Sequence, residues 1–142
     1  CVHLSQQERD ILAETGAKVC LCPGSNRRLG VGKAQVMALV DHQILPGLGT
    51  DSLASNDCLD LWREMQIVSE DHPELSPELI FRLATLAGAE ALGVDRRLGA
   101  LAPGRQASLL AVAYQGAAAG VLPFLVSTGR AITLDWLEDT HG

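Results

Sequence analysis

One acid stands where a reaction would be placed. Asp51 follows Ile44-Leu45-Pro46-Gly47-Leu48, an apolar run with the length of a buried strand, and then Gly49-Thr50. A small polar loop, Ser52-Leu53-Ala54-Ser55-Asn56, comes after it. A carboxylate at the C-terminal end of a buried parallel strand occupies the position from which α/β barrels work. Taken alone, Gly-Thr-Asp reads first as a turn, or as an N-cap for a helix opening near Cys58. Two other constellations have reactive residue types. Cys20 and Cys22 lie two apart in a second apolar run, Val19-Cys20-Leu21-Cys22, so a strand turns both to one side. With His3 they suggest zinc, but no second Cys/His pair has ligand spacing, and we read them as buried apolar thiols. Gly30-Val31-Gly32-Lys33-Ala34 hints at a phosphate loop. It has Arg27 where the first glycine belongs and Ala34 where Ser or Thr should follow, and we reject it. His42, His72 and His141 fall in a helix end, a Pro-flanked turn and the tail, with no partners at ligand spacing.

The neighbours of Asp51 change its reading. In order, the chain shows Cys1-Val2-His3-Leu4, Cys22-Pro23-Gly24-Ser25-Asn26 with Leu29-Gly30-Val31-Gly32, Leu48-Gly49-Thr50-Asp51 with Ala54-Ser55-Asn56, and Leu61-Trp62-Arg63-Glu64-Met65. Ala84-Thr85, Gly88-Ala89, Ala91-Leu92-Gly93 and Gly99 to Gly104 come later. In this order and spacing the chain resembles the C-terminal part of metal-dependent amidohydrolases. The similar branch holds the chlorohydrolases, the guanine deaminases and the deaminases of S-adenosylhomocysteine, methylthioadenosine and aminofutalosine.

That resemblance implies a (β/α)₈ barrel of which this chain carries roughly strands six to eight, since a whole barrel needs about 250 residues. It implies one divalent metal, zinc or alternatively iron, held by histidines from other strands and by the aspartate ending the eighth. Asp51 matches that aspartate, as metal ligand and as the group that takes a proton from activated water. The motif's catalytic histidine would immediately precede Cys1, which leaves His3 as its second, non-catalytic one. Ser55 matches a loop position that can contact substrate; a hydrogen bond to loop backbone is the structural alternative. Ser25 and Asn26 brace the loop after the seventh strand, and Arg27 and Arg28 form a solvated face. The parent reaction implied is hydrolytic deamination of a purine-type nucleoside. Dechlorination or ring-amide hydrolysis on the same scaffold is the runner-up, and a non-catalytic remnant a third reading. Ser108 departs from the family, which usually carries aspartate in the Pro-Gly-x-x-Ala-Asp-Leu turn.

The elements that must position Asp51 follow from periodicity. Ser5 with Glu8 is a capping box opening a helix to about Glu14, with Ile11 and Leu12 inward and a stop at Gly16. Lys18–Cys22 reads as a strand, then a glycine-punctuated loop to Gly32, a helix over Ala34–His42, and a short strand in which Pro46 is tolerable only at the start. A helix over Cys58–Ser69 puts Leu61, Met65 and Val68 on one face. Ser76-Pro77 starts another, and a shorter one runs near Ala89–Leu92. Strands are expected at Ser108–Tyr114, Leu122–Val126 and Ala131–Leu134. We therefore expect an α/β chain with a barrel segment over 1–98 and part of an appended β domain over 99–142.

Composition excludes several classes. Formal charge is −6, from 17 acids against 11 bases, with no Lys/Arg block longer than two, which argues against a nucleic-acid groove. No apolar run reaches the roughly 18 residues of a membrane span. Four cysteines in 142 residues do not make a disulfide scaffold, and we expect a reduced, cytoplasmic protein. The expected partners are a small-molecule substrate and another copy of the chain, meeting through an exposed barrel edge.

Overall fold

A computed structural model describes residues 1–128 and 134–137. Helix α1 spans Gln6–Thr15. The Ser5 side chain accepts from the Glu8 amide, Glu8 reaches back to the Ser5 amide, and Gly16 at φ 65° stops the helix. Leu12 packs partly against the core, but Ile11 is 51% exposed, contrary to expectation. Strand β1, Cys20–Leu21, pairs in parallel with β2, Gly47–Leu48, in the register Cys20 to Gly47 and Leu21 to Leu48. The amides of Gly47 and Gly49 donate to the carbonyls of Val19 and Leu21, at 2.9 and 2.8 Å. Pro46 sits just before β2 and is fully buried. It has no amide to contribute, so the ladder begins only after it.

Two helices cross over between these strands. The stretch expected as a loop is α2, Pro23–Leu29, because Pro23 at its first turn costs no hydrogen bond and Gly30 at φ 64° closes it. Helix α3 follows at Val36–Asp41, inside the expected Ala34–His42. Helix α4, Leu61–Asp71, opens later than Cys58 because Asp60 caps it, its side chain accepting from the Trp62 amide at 2.9 Å. Met65, Ile67 and Val68 are buried, while Leu61 at the first turn is 40% exposed. Helix α5, Pro77–Ala84, is capped by Ser76, and α6, Leu86–Ala91, follows a break at Thr85.

Val19, Leu21, Leu39, Leu48, Val68, Ile80 and Leu83 form the heart of one core beneath the parallel strands. Helix α6 lies against β2 at a glycine contact: a Cβ on Gly47 would stand 3.1 Å from the Gly88 Cα. Strand β3, Leu109–Val112, pairs antiparallel with β4, Leu134–Leu137. Between them the expected strand Leu122–Val126 is instead a helix, α7, over Val121–Ser127. A short apolar run does not distinguish the two, and burial of Leu125 and Val126 against α4 and α5 selects the helix. Pro123 falls in the first turn, where its missing amide is not needed. Of the expected strand Ala131–Leu134, residues 131–133 lie outside the described residues and Leu134 opens β4. The described residues thus form a mixed α/β segment.

Candidate functional site

Asp51 stands three residues past β2, in a left-handed backbone conformation (φ 58°) that non-glycine residues seldom adopt. Two hydroxyls hold its carboxylate by the same oxygen. Oδ2 accepts from Ser55 Oγ at 2.7 Å and from Ser25 Oγ at 3.0 Å. Ser55 supplies the first from within the loop, and Ser25 supplies the second from the first turn of α2, across the parallel strand pair. Hydrogen bonds from Ser55, then Ser25, then the Ser52 amide hold the Asp51 carboxyl below the usual aspartate range. The group is exposed, so it is an ionised, pre-aimed acceptor at neutral pH.

Ser55 makes the backbone contact given above as its structural alternative, and a shorter one to the carboxylate. Its hydroxyl faces the carboxylate at 2.7 Å and the Ser52 carbonyl at 3.3 Å. At Asn26 it is the main-chain carbonyl that accepts from the Val31 amide, at 3.2 Å. The His3 side chain braces the same turn, donating a ring N–H to the Val31 carbonyl at 2.7 Å. Arg27 and Arg28 are not a merely solvated face. Arg27 pairs with Glu70 and Asp71 at 2.7 and 2.8 Å, and Arg28 pairs with Asp57. Both arginines therefore anchor α2 to the structure behind Asp51 instead of reaching toward a ligand.

The thiols correct a further expectation. Cys20 is exposed and Cys22 half-buried, and only Cys58 is buried. Cys20 and Cys22 do share a side, for a Cβ on Gly49 would meet their sulfurs at 2.8 and 3.5 Å. Burial, then the neighbouring Cys20 and the Asp51 charge, push the Cys22 thiol up to about 11. Cys22 is a neutral thiol beside the site, not a nucleophile.

Near Asp51 lies a group that the motif contains but to which it assigns no role. Glu64 of α4 is 0% exposed. Its Oε2 accepts from the Gly24 amide and its Oε1 from Asn56 Nδ2, both at 2.7 Å. Asn56, also buried, donates to the Thr50 carbonyl at 2.7 Å and accepts from the Asp57 amide at 2.8 Å. The signal was present in the stripe Leu61, Glu64, Met65 and Val68: helical spacing puts an acid on the face that packs.

Asp51 is a suitable ligand for a hard or borderline cation, but a catalytic zinc site normally takes three protein ligands. Among the described residues no group of three or more His, Cys, Asp or Glu side chains is placed to hold a metal.

Comparison with known proteins agrees with this geometry. A sequence profile of the amidohydrolase family matches residues 1–132. A 5-methylthioadenosine/S-adenosylhomocysteine deaminase from Teredinibacter turnerae is 36% identical over 122 residues, covering 79% of this chain and 28% of the relative. Among solved structures, an adenosine deaminase from Xanthomonas campestris with bound zinc superposes with a TM-score of 0.71 at 36% identity, covering 78% of this chain and 27% of that one. An atrazine chlorohydrolase from Arthrobacter aurescens, complexed with zinc, superposes with a TM-score of 0.67 at 30% identity, covering 73% and 25%. The chain thus spans little more than a quarter of the proteins it matches. A carboxylate just past a parallel strand, held by one serine from α2 and one from its own loop, coincides with a match over nearly the whole sequence: the chain belongs to the amidohydrolase family.

Proposed function

We propose that β1 and β2 are the seventh and eighth strands of a (β/α)₈ barrel, that Asp51 is the metal-ligating aspartate of its active site, and that the whole enzyme deaminates a purine-type nucleoside. S-adenosylhomocysteine, methylthioadenosine and aminofutalosine are the substrate class. On this reading residues 1–98 belong to the barrel, and the β3–β4 pair belongs to a small β domain within 99–142. The observation that carries it is the Asp51 carboxylate at the strand end, held through Oδ2 by Ser25 and Ser55.

A divalent metal, zinc or iron, would lower the pKa of water enough to make it a nucleophile at neutral pH. This chain's residues do the rest of what is assigned to them. Asp51 would ligate the metal through its carboxylate and take the proton that the attacking water loses. Its depressed pKa keeps it ionised at rest, and makes a proton that it accepts easy to pass on to the departing ammonia. Ser55 and Ser25 keep the carboxylate from rotating between those tasks. Ser55 stands at the rim of the same loop, where a rotation of its hydroxyl would bring it to substrate.

Loss of the adenine absorption band with stoichiometric ammonia tests the assignment. Asp51→Asn keeps the size and removes the charge, and we expect turnover to fall at least about a thousandfold, because the base and a metal ligand are lost together. Full activity in that variant would remove Asp51 from the mechanism. Chloride release from a chlorotriazine without ammonia would move the assignment to the chlorohydrolases, the reading favoured by the Arthrobacter match.

A further inference from the structure

Glu64 is a buried carboxylate for which the proposed reaction has no use. Among the described residues no Lys, Arg or His pairs with it; its partners are the Gly24 amide and the Asn56 carboxamide. Burying a carboxylate without a cation is costly, and two short N–H bonds offset that cost only when both are held in place. The backbone is shaped for the contact. A Cβ on Gly24 would stand 2.5 Å from Glu64 Oε1 and 2.7 Å from the Asn56 carboxamide, so only glycine admits the carboxylate there.

The two bonds lead to the two segments that hold Asp51, the first turn of α2 and the loop after β2. Gly24 immediately precedes Ser25, whose hydroxyl reaches Asp51. Asn56 follows Ser55, and its second N–H grips the carbonyl of Thr50, the residue before Asp51. Glu64 therefore fixes the separation of the α2 N-terminus from the 50–56 loop, and with it the distance between the two serines.

Resting on the functional reading above, we propose that Glu64 is a positioning residue for Asp51: it sets the Asp51 carboxylate by clamping the first turn of α2 and the 50–56 loop to α4. A clamp of this kind is specific to acceptors. In Glu64→Gln the shape is kept, but the carboxamide presents an N–H either to the Gly24 amide or to the Asn56 N–H, donor against donor.

The test compares Glu64→Gln with Leu39→Ala, a core variant in α3 with no part in the site, at denaturant levels chosen for equal stability. On the metal-free whole protein, amide exchange should speed at least tenfold at Gly24, Ser25 and residues 52–57 in Glu64→Gln, and not in Leu39→Ala. On the zinc-loaded protein, zinc affinity should fall about 10–100-fold, as for outer partners of metal ligands, with KM within twofold of the parent. Gly24→Ala, which displaces the same carboxylate from the opposite side, should reproduce the pattern and decides the matter should Glu64→Gln not fold. Unchanged exchange over 52–57, or a loss of zinc affinity no greater than in Leu39→Ala, would overturn the proposal. A parent protein that takes up no zinc and releases no ammonia would overturn the functional reading, and exchange over 52–57 would still decide whether Glu64 clamps the loops.

Discussion

Asp51 and Cys22 are neighbours whose environments push their proton equilibria in opposite senses. Hydroxyl and amide donors favour the charged form of the aspartate, while burial and adjacent sulfur and carboxylate favour the neutral form of the thiol. The consequence for Cys22 is measurable. A thiol whose pKa lies near 11 carries about a hundredfold less thiolate at pH 8 than one near 9. Alkylation followed by mass spectrometry should find Cys22 slow at pH 8, its rate still rising at pH 10. A rate that levels off by pH 9 would show that the sulfur is solvated. Replacing Asp51 by Asn removes one of the charges that raise this pKa, so labelling at Cys22 should quicken in that variant.

At the scale of elements, packing explains both what could be read from residue order and what could not. The strand pair and its crossover follow from apolar runs ending in Pro-Gly and Gly-Thr, and Ser5, Ser76 and Gly16 mark helix ends through their own chemistry. Helix α7 could not be read this way, because Leu122-Pro123-Phe124-Leu125-Val126 is short, apolar and without period. Only the presence of α4 and α5 beneath Leu125 and Val126 decides its form. The site divides similarly. Asp51 and Ser55 are motif residues and Glu64 lies in the packing stripe of α4, whereas their partners, Ser25 for Asp51 and Gly24 for Glu64, stand 26 and 40 positions away, a pairing that no local pattern announces. The α6–β2 contact gives a direct test of packing. Gly47→Ala places a methyl 3.1 Å from the Gly88 Cα and 3.4 Å from the Ala87 carbonyl, both backbone atoms that cannot rotate away. We expect a loss of about 1–3 kcal/mol in a chemical denaturation curve, and an unchanged midpoint would mean that α6 slides freely.

At the scale of the whole molecule, the parallel sheet has two strands among the described residues, each with one edge unpaired there. Such edges recruit a further strand or a second copy, and association is our expectation for the 142-residue chain. One carboxylate supplies a single ligand, so titration of this chain with zinc at neutral pH should give binding weaker than micromolar. A tighter stoichiometric site that disappears in Asp51→Ala would mean that this chain closes a coordination sphere of its own. No helix among the described residues is long and apolar enough to cross a membrane.

The loop between the two supports of Asp51 has an unequal distribution of obligations. Ser52, Leu53 and Ala54 are exposed, and Leu53 is 62% open to solvent, while Ser55 and Asn56 are committed to the carboxylate and to the brace. An engineer seeking a new substrate preference therefore has a small window in which to diversify side chains. On the function proposed above, a library confined to positions 53 and 54 would leave the frame around Asp51 standing, whereas the same diversity at 24, 25, 55, 56 or 64 would be spent on proteins that misplace their aspartate.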